Sequence, residues 1–89
     1  MVNNAKVVLA FKDGKLAKSK SMTSLGDKLL SYGTVICEKC NDKYYYNNTH
    51  YSNSTSKHQS IVKSLIPIDV ELNNINRGTK ELVRRENGN

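Results

Sequence analysis

Hydrophobic positions follow two different periods along the chain, and the switch between them outlines a fold. Thr34–Cys37 is rich in β-branched residues and Lys43–Tyr46 in aromatic ones, compositions that suit a pleated, half-buried surface. Asn41-Asp42 between them tolerates positive φ, so the spacing predicts a hairpin closed by a two-residue turn. That turn sets Cys40 opposite Lys43, Glu38 opposite Tyr45 and Cys37 opposite Tyr46. Further on the period becomes helical: His58, Ile61, Val62 and Leu65 stand at i, i+3, i+4 and i+7. Ser56 with Gln59 has the capping-box spacing, and Pro67 ends the helix by Ile66 because proline disfavours helical dihedrals in the residue before it. Ile66–Leu72 then alternates apolar and polar, a half-buried strand whose start Pro67 keeps at an edge or outside the ladder.

The N-terminal part reads as a second hairpin. Lys6–Lys12 is a short apolar run, Asp13-Gly14 suits a type I′ turn, and Lys15–Lys20 forms the return arm. Phe11 then faces Leu16, and Ala10 faces Ala17. The return arm is poor in hydrophobic residues and carries lysine at 15, 18 and 20, which is a usual protection of an edge strand and also a possible phosphate-facing ridge. Ser21–Asp27 reads as a linker with a turn at Gly26-Asp27. Lys28–Tyr32 reads as extended, with a bulge or bend at Gly33. Asn73–Gly78 is a turn, Thr79–Arg85 fits either a strand or a helical turn, and residues 87–89 form a frayed tail behind a single small domain over 1–86.

These elements predict an α+β fold: a small antiparallel, hairpin-rich sheet of roughly four to six strands with one helix, from Ser56 to about Ile66, packed on it. Val7, Leu9, Leu29, Val35, Ile61, Leu65, Ile68 and Val70 are the expected core. A chain of 89 residues buries about 60% of its unfolded surface, which leaves little room for an enclosed active site. No run is long and apolar enough for a membrane span, and the N-terminus lacks a signal-peptide pattern. The expected location is therefore cytoplasmic, where both cysteines stay reduced.

Charge narrows the partners. Fourteen Lys and Arg against eight Asp and Glu give +6, an excess that favours polyanions, whether nucleic acid or an acidic protein face. Cys37-x-x-Cys40 with His50 and His58 raises a zinc reading, but the separations differ from those of zinc fingers. Cysteines three apart on a strand also point to opposite faces, so no metal and no cofactor is expected. His58 on the apolar helix face reads as a packed, hydrogen-bonded core residue. Tyr45 points opposite to Tyr44 and Tyr46, and the run suits base stacking beside lysines, an interface anchor, or a core filled by Tyr44 and Tyr46. No nucleophile, base and orienting group stand at recognisable spacing, which argues against an enzyme.

The runs Ser31-Tyr32-x-Thr34-x-Ile36 and Tyr51-Ser52-x-Ser54-Thr55-Ser56-Lys57-His58 resemble a pattern of small proteins of unknown function encoded by bacteriophages and other mobile elements; Ser54 stands where that pattern has threonine. The resemblance implies a source and no activity. As a source it suggests an inhibitor that occupies a host protein or ribonucleoprotein complex of nucleic-acid-directed defence, as anti-CRISPR or anti-restriction proteins do, in the cytoplasm of an infected bacterium. The alternative is direct binding of DNA or RNA through a lysine hairpin and tyrosines. Lys12, Lys15, Lys18, Lys20, Tyr45, Tyr51, Lys57, Arg84 and Arg85 are the expected contact residues for either. The sequence does not fix the oligomeric state.

Overall fold

A computed structural model describes residues 3–82. Its elements are α1 (Asn4–Lys12), β1 (Leu16–Lys18), β2 (Met22–Leu25), β3 (Lys28–Ser31), β4 (Thr34–Cys40), β5 (Lys43–Asn47), α2 (Asn53–Leu65) and β6 (Val70–Leu72). The six strands form one sheet in sequence order. The first five make an antiparallel meander, and β6 joins β5 in parallel after the α2 crossover. The fold is α+β as expected, with two helices where the sequence reading had one.

The first helix corrects the N-terminal hairpin. Asn3 accepts a hydrogen bond from Lys6 N at 2.9 Å and caps α1. Val7, Val8 and Phe11 then fall on one face and are fully buried. Asp13-Gly14 ends this helix instead of turning a hairpin. Gly14 takes φ +74°, its N–H donates to Phe11 O, and Lys15 N donates to Ala10 O, the paired bonds of a Schellman motif. Both devices need positive φ, so the dipeptide alone does not separate them. Leu9, expected in the core, stands 44% exposed because the helix turns it away from Val7 and Phe11. The stretch read as a linker contains β2, and Leu16 pairs with Leu25, not Phe11.

The central hairpin is as the sequence predicts. Asn41 and Asp42 both hold positive φ, and Cys37, Glu38 and Cys40 face Tyr46, Tyr45 and Lys43. Gly33 is half of a second two-residue turn: Tyr32 at φ +50° and Gly33 at +83° join β3 to β4. The bend expected there lies instead in the β3–β4 register, which shifts between Leu29 and Leu30. Leu29 faces Cys37 while Leu30 faces Val35, so Ile36 is the extra residue of a β-bulge. Ile36 and Cys37 are consequently both fully buried and both join the core.

Helix α2 begins three residues before the expected Ser56. Ser52 is the first hydroxyl able to cap it and accepts from Thr55 N at 3.2 Å. Gln59 makes no capping box; it turns inward and donates to Asn47 O and Thr49 O, holding the chain as it leaves β5. Val62 and Ile66 carry the helix's apolar contact, with Ile61, Leu65 and Ile68 half-buried around it and Val70 half-buried in β6. Val7, Leu29 and Val35 are buried as expected. Strand β6 is shorter than the alternating run, and Pro67 lies outside the ladder.

Residues 34–38 of β4 are buried on both faces of the sheet. The helices cover one face. Over the other runs segment 73–82, tied down by Tyr51 Oη to Ile75 O, Gly78 N to Thr34 Oγ1, Val35 N to Thr79 O and Leu82 N to Glu38 Oε1. Its residues 79–82 form neither the strand nor the helical turn anticipated. Val83–Arg85 and the tail lie outside the described residues.

Candidate functional site

The four lysines expected on one hairpin are redistributed by α1. Lys12 ends the helix, Lys15 follows its cap, Lys18 ends β1, and Lys20 sits in the β1–β2 loop; all are exposed. Strand β1 is an edge of the sheet, so its outer backbone groups pair with no other strand among the described residues. On it Leu16 is 76% exposed, opposite Leu25 at 51%. This directly paired apolar couple, bordered by lysines, is a feature that sequence reading missed. The signal was an apolar residue in each of two segments read as polar.

The other expected contacts lie elsewhere. Lys57 is exposed on α2, remote in sequence from the lysine edge, and Tyr45 is half-buried on β5. Tyr51 is a structural residue: its hydroxyl accepts from Asn47 Nδ2 at 2.9 Å and donates to Ile75 O. Tyr44 and Tyr46 fill the core, the last of the three readings, with Phe11 edge-on to Tyr44 and with Lys39 and Lys63 over the Tyr44 and Tyr46 rings. Burial pushes the Tyr46 phenol up to about 12, helped by the Glu71 charge nearby. Arg84 and Arg85 are outside the described residues.

The four residues of the zinc reading do not converge. Cys37 is buried in the core, and burial raises its thiol to about 12, far from the thiolate that a metal or an electrophile needs. Cys40 lies three residues on, partly exposed. His50 Nδ1 pairs with Ser56 Oγ at 3.0 Å. Among the described residues no three His, Cys, Asp or Glu side chains are grouped closely enough to hold a metal ion.

His58 is buried and hydrogen-bonded, as its place on the helix face implied. Its Nδ1 shares a 2.6 Å hydrogen bond with Ser31 Oγ, its Nε2 is 3.4 Å from Ser21 Oγ, and the Tyr32 ring stacks on it at 5.6 Å between centroids. Ser31 and His58 stand at a nucleophile–base distance. The second ring nitrogen faces a serine and not a carboxylate, so the pair lacks the group that would hold a base for proton abstraction. Burial lowers the His58 pKa from 6.5, and the neutral ring is the folded form. The unfolded chain therefore takes up the proton first as pH drops. We expect stability to be complete above 6.5 and to fall as pH goes down from there through the lower folded value. In His58→Gln, thermal melts should lose that part of the pH dependence.

Beside His58 lies a cleft of about 300 Å³ lined by Ser31, Tyr32, Thr34, Tyr51, Ser52, Thr55 and Arg77. The β3–β4 turn supplies its first wall and the capped start of α2 the second. Six of these seven residues belong to the two short runs Ser31–Thr34 and Tyr51–Thr55, which the fold brings together. In the sequence those runs stand out only as the carriers of the mobile-element resemblance. Arg77 comes from the covering segment.

No helix among the described residues is long and apolar enough to cross a membrane. Comparison with characterised proteins and with solved structures finds no match. Residues 3–65, from the cap of α1 to the end of α2, match the model of a family of unknown function (DUF8033), and the chain belongs to that family.

Proposed function

We propose that this chain is a small non-enzymatic binding protein that docks its α1–β1–β2 edge onto an acidic protein face. The observation that carries this reading is the exposed Leu16–Leu25 pair at the sheet's β1 edge, bordered by Lys15, Lys18 and Lys20. Apolar side chains at the centre of a contact supply affinity, while charges at its rim steer association and choose the partner. A second copy would bring lysine against lysine, which disfavours self-pairing. Given the mobile-element resemblance of the two motif runs, the partner class is a host complex of nucleic-acid-directed defence, inhibited by occupation.

Direct nucleic-acid binding through the same lysines is the competing reading, and salt separates the two. Each phosphate neutralised contributes a log–log salt slope of roughly −0.7 to −0.9. We expect DNA and RNA to bind weakly, without sequence preference, and to release near physiological salt. Lys15→Glu with Lys18→Glu should remove about two contacts from that slope. Leu16→Asp should leave it unchanged, yet abolish capture of the host complex from nuclease-treated lysate. Sub-micromolar binding of bare nucleic acid at physiological salt, insensitive to Leu16→Asp, would replace the protein partner with a nucleic acid.

A further inference from the structure

The cleft between the β3–β4 turn and α2 has a lining of one charge sign. Arg77 contributes a guanidinium, Ser31, Thr34, Ser52 and Thr55 contribute hydroxyls, and among the described residues no carboxylate takes part. Lys80 Nζ donates to Gly33 O and so holds a second cation on the turn that carries Tyr32. Thr34 Oγ1 accepts from Gly78 N, and Thr55 Oγ1 accepts from Ser52 Oγ. Each of these hydroxyls keeps its own proton to donate. Ser52 spends its proton on Thr55, and Ser31 is engaged with His58, so the donors left at the polar end are the Arg77 guanidinium and the Thr34 and Thr55 hydroxyls, which suit an anion with several acceptor oxygens.

The other end is aromatic. Tyr32 holds a left-handed φ of +50°, a conformation that glycine or asparagine adopts more easily, and it is 62% exposed. One face of its ring lies on the His58 imidazole, 29° from parallel, and most of the side chain is left to solvent. Two hydroxyls fix the imidazole beneath it, so the platform is held in place. A fixed aromatic ring beside an anion-accepting end is the combination that binds a planar base carrying a phosphate. The volume is at the lower end of the roughly 300–1,000 Å³ of small-molecule sites.

We propose that this cleft binds a nucleotide, with the phosphate held by Arg77 and the Thr34 and Thr55 hydroxyls and the base stacked on Tyr32. The site does not depend on the lysine edge. The same chemistry could arrive as a free nucleotide or as one residue of a single strand.

Amide spectra of the full chain titrated with AMP, GMP, CMP, UMP, adenosine and inorganic phosphate test this. Nucleoside monophosphates should shift the Tyr32, Thr34, Thr55 and Arg77 amides saturably, with adenosine or phosphate alone weaker by about tenfold or more. Arg77→Gln should cost about tenfold in nucleotide affinity, the loss of one charge-assisted contact. Tyr32→Asn, which suits the turn's positive φ, should cost about as much. Tyr32→Phe, which keeps the ring, should lose less than Tyr32→Asn, and Lys15→Glu with Lys18→Glu, away from the cleft, should bind like the native chain. A trinucleotide that binds more tightly than its monomer identifies a strand as the source; equal affinity identifies the free nucleotide. Absence of saturable shifts at millimolar nucleotide, or affinity unchanged in both Arg77→Gln and Tyr32→Asn, overturns the proposal.

Discussion

Phe11→Ala should unfold most of the population at a temperature where the native chain is folded. Phe11 is the largest fully buried side chain, packed edge-on to Tyr44 with ring centroids 5.9 Å apart. Truncation removes its contacts and leaves a cavity between α1 and the sheet, at a cost of about 3–5 kcal/mol. A domain this small has stability near the low end of the usual range of about 5–15 kcal/mol, so the variant retains little. Phe11→Leu fills most of the space and should cost much less. Chemical denaturation of the three proteins checks the order. An Ala variant within about half a kcal/mol of native stability would mean that α1 is not docked as described.

The second large effect is polar. Asn47 is fully buried where β5 leaves the sheet. Its Nδ2 donates to Val35 O at 3.0 Å and to Tyr51 Oη at 2.9 Å, and its Oδ1 accepts from Thr49 N at 3.0 Å. Asn47→Ala strips partners from three groups at once, and a buried polar group left unpaired costs about 1–3 kcal/mol, so a loss of about 2–4 kcal/mol is expected. Asn47→Asp keeps the shape but sets a carboxylate against Val35 O, raising its folded pKa above the unfolded one. Its stability relative to the native chain should therefore be best at low pH and decline as pH rises through the carboxyl range. Melts from acid to neutral pH read that slope directly.

The sheet's centre was legible because its signals are local and redundant. Asn41-Asp42, the β-branched arm and the tyrosine arm all specify one hairpin and one register. Helix α2 was legible for the same reason, though its start was not, since Ser52 through Ser56 all offer a cap and only packing selects Ser52. The N-terminal error has another origin. Val7 and Val8 favour a strand, and Asp13-Gly14 favours a hairpin, yet Asn3 and the spacing of Val7, Val8 and Phe11 favour a helix. Tertiary burial of that face decides. The cleft was hidden for a geometric reason: its two walls are distant in sequence, and the hydroxyl residues that build them are the same types that cap and turn a chain.

The covering segment has a consequence for the order in which the molecule is completed. Strands β1 to β5 pair only with sequence neighbours, so the meander can assemble from contacts of short separation while the chain is still being synthesised. Val35 and Glu38 become enclosed only when residues 79 and 82 arrive, contacts that span 44 positions in each case. Until then β4 has one wet face. A nascent chain halted just after α2 would thus present a half-finished sheet with Glu38 open to water. Its release would seal the sheet in one late step that also delivers Arg77 to the cleft.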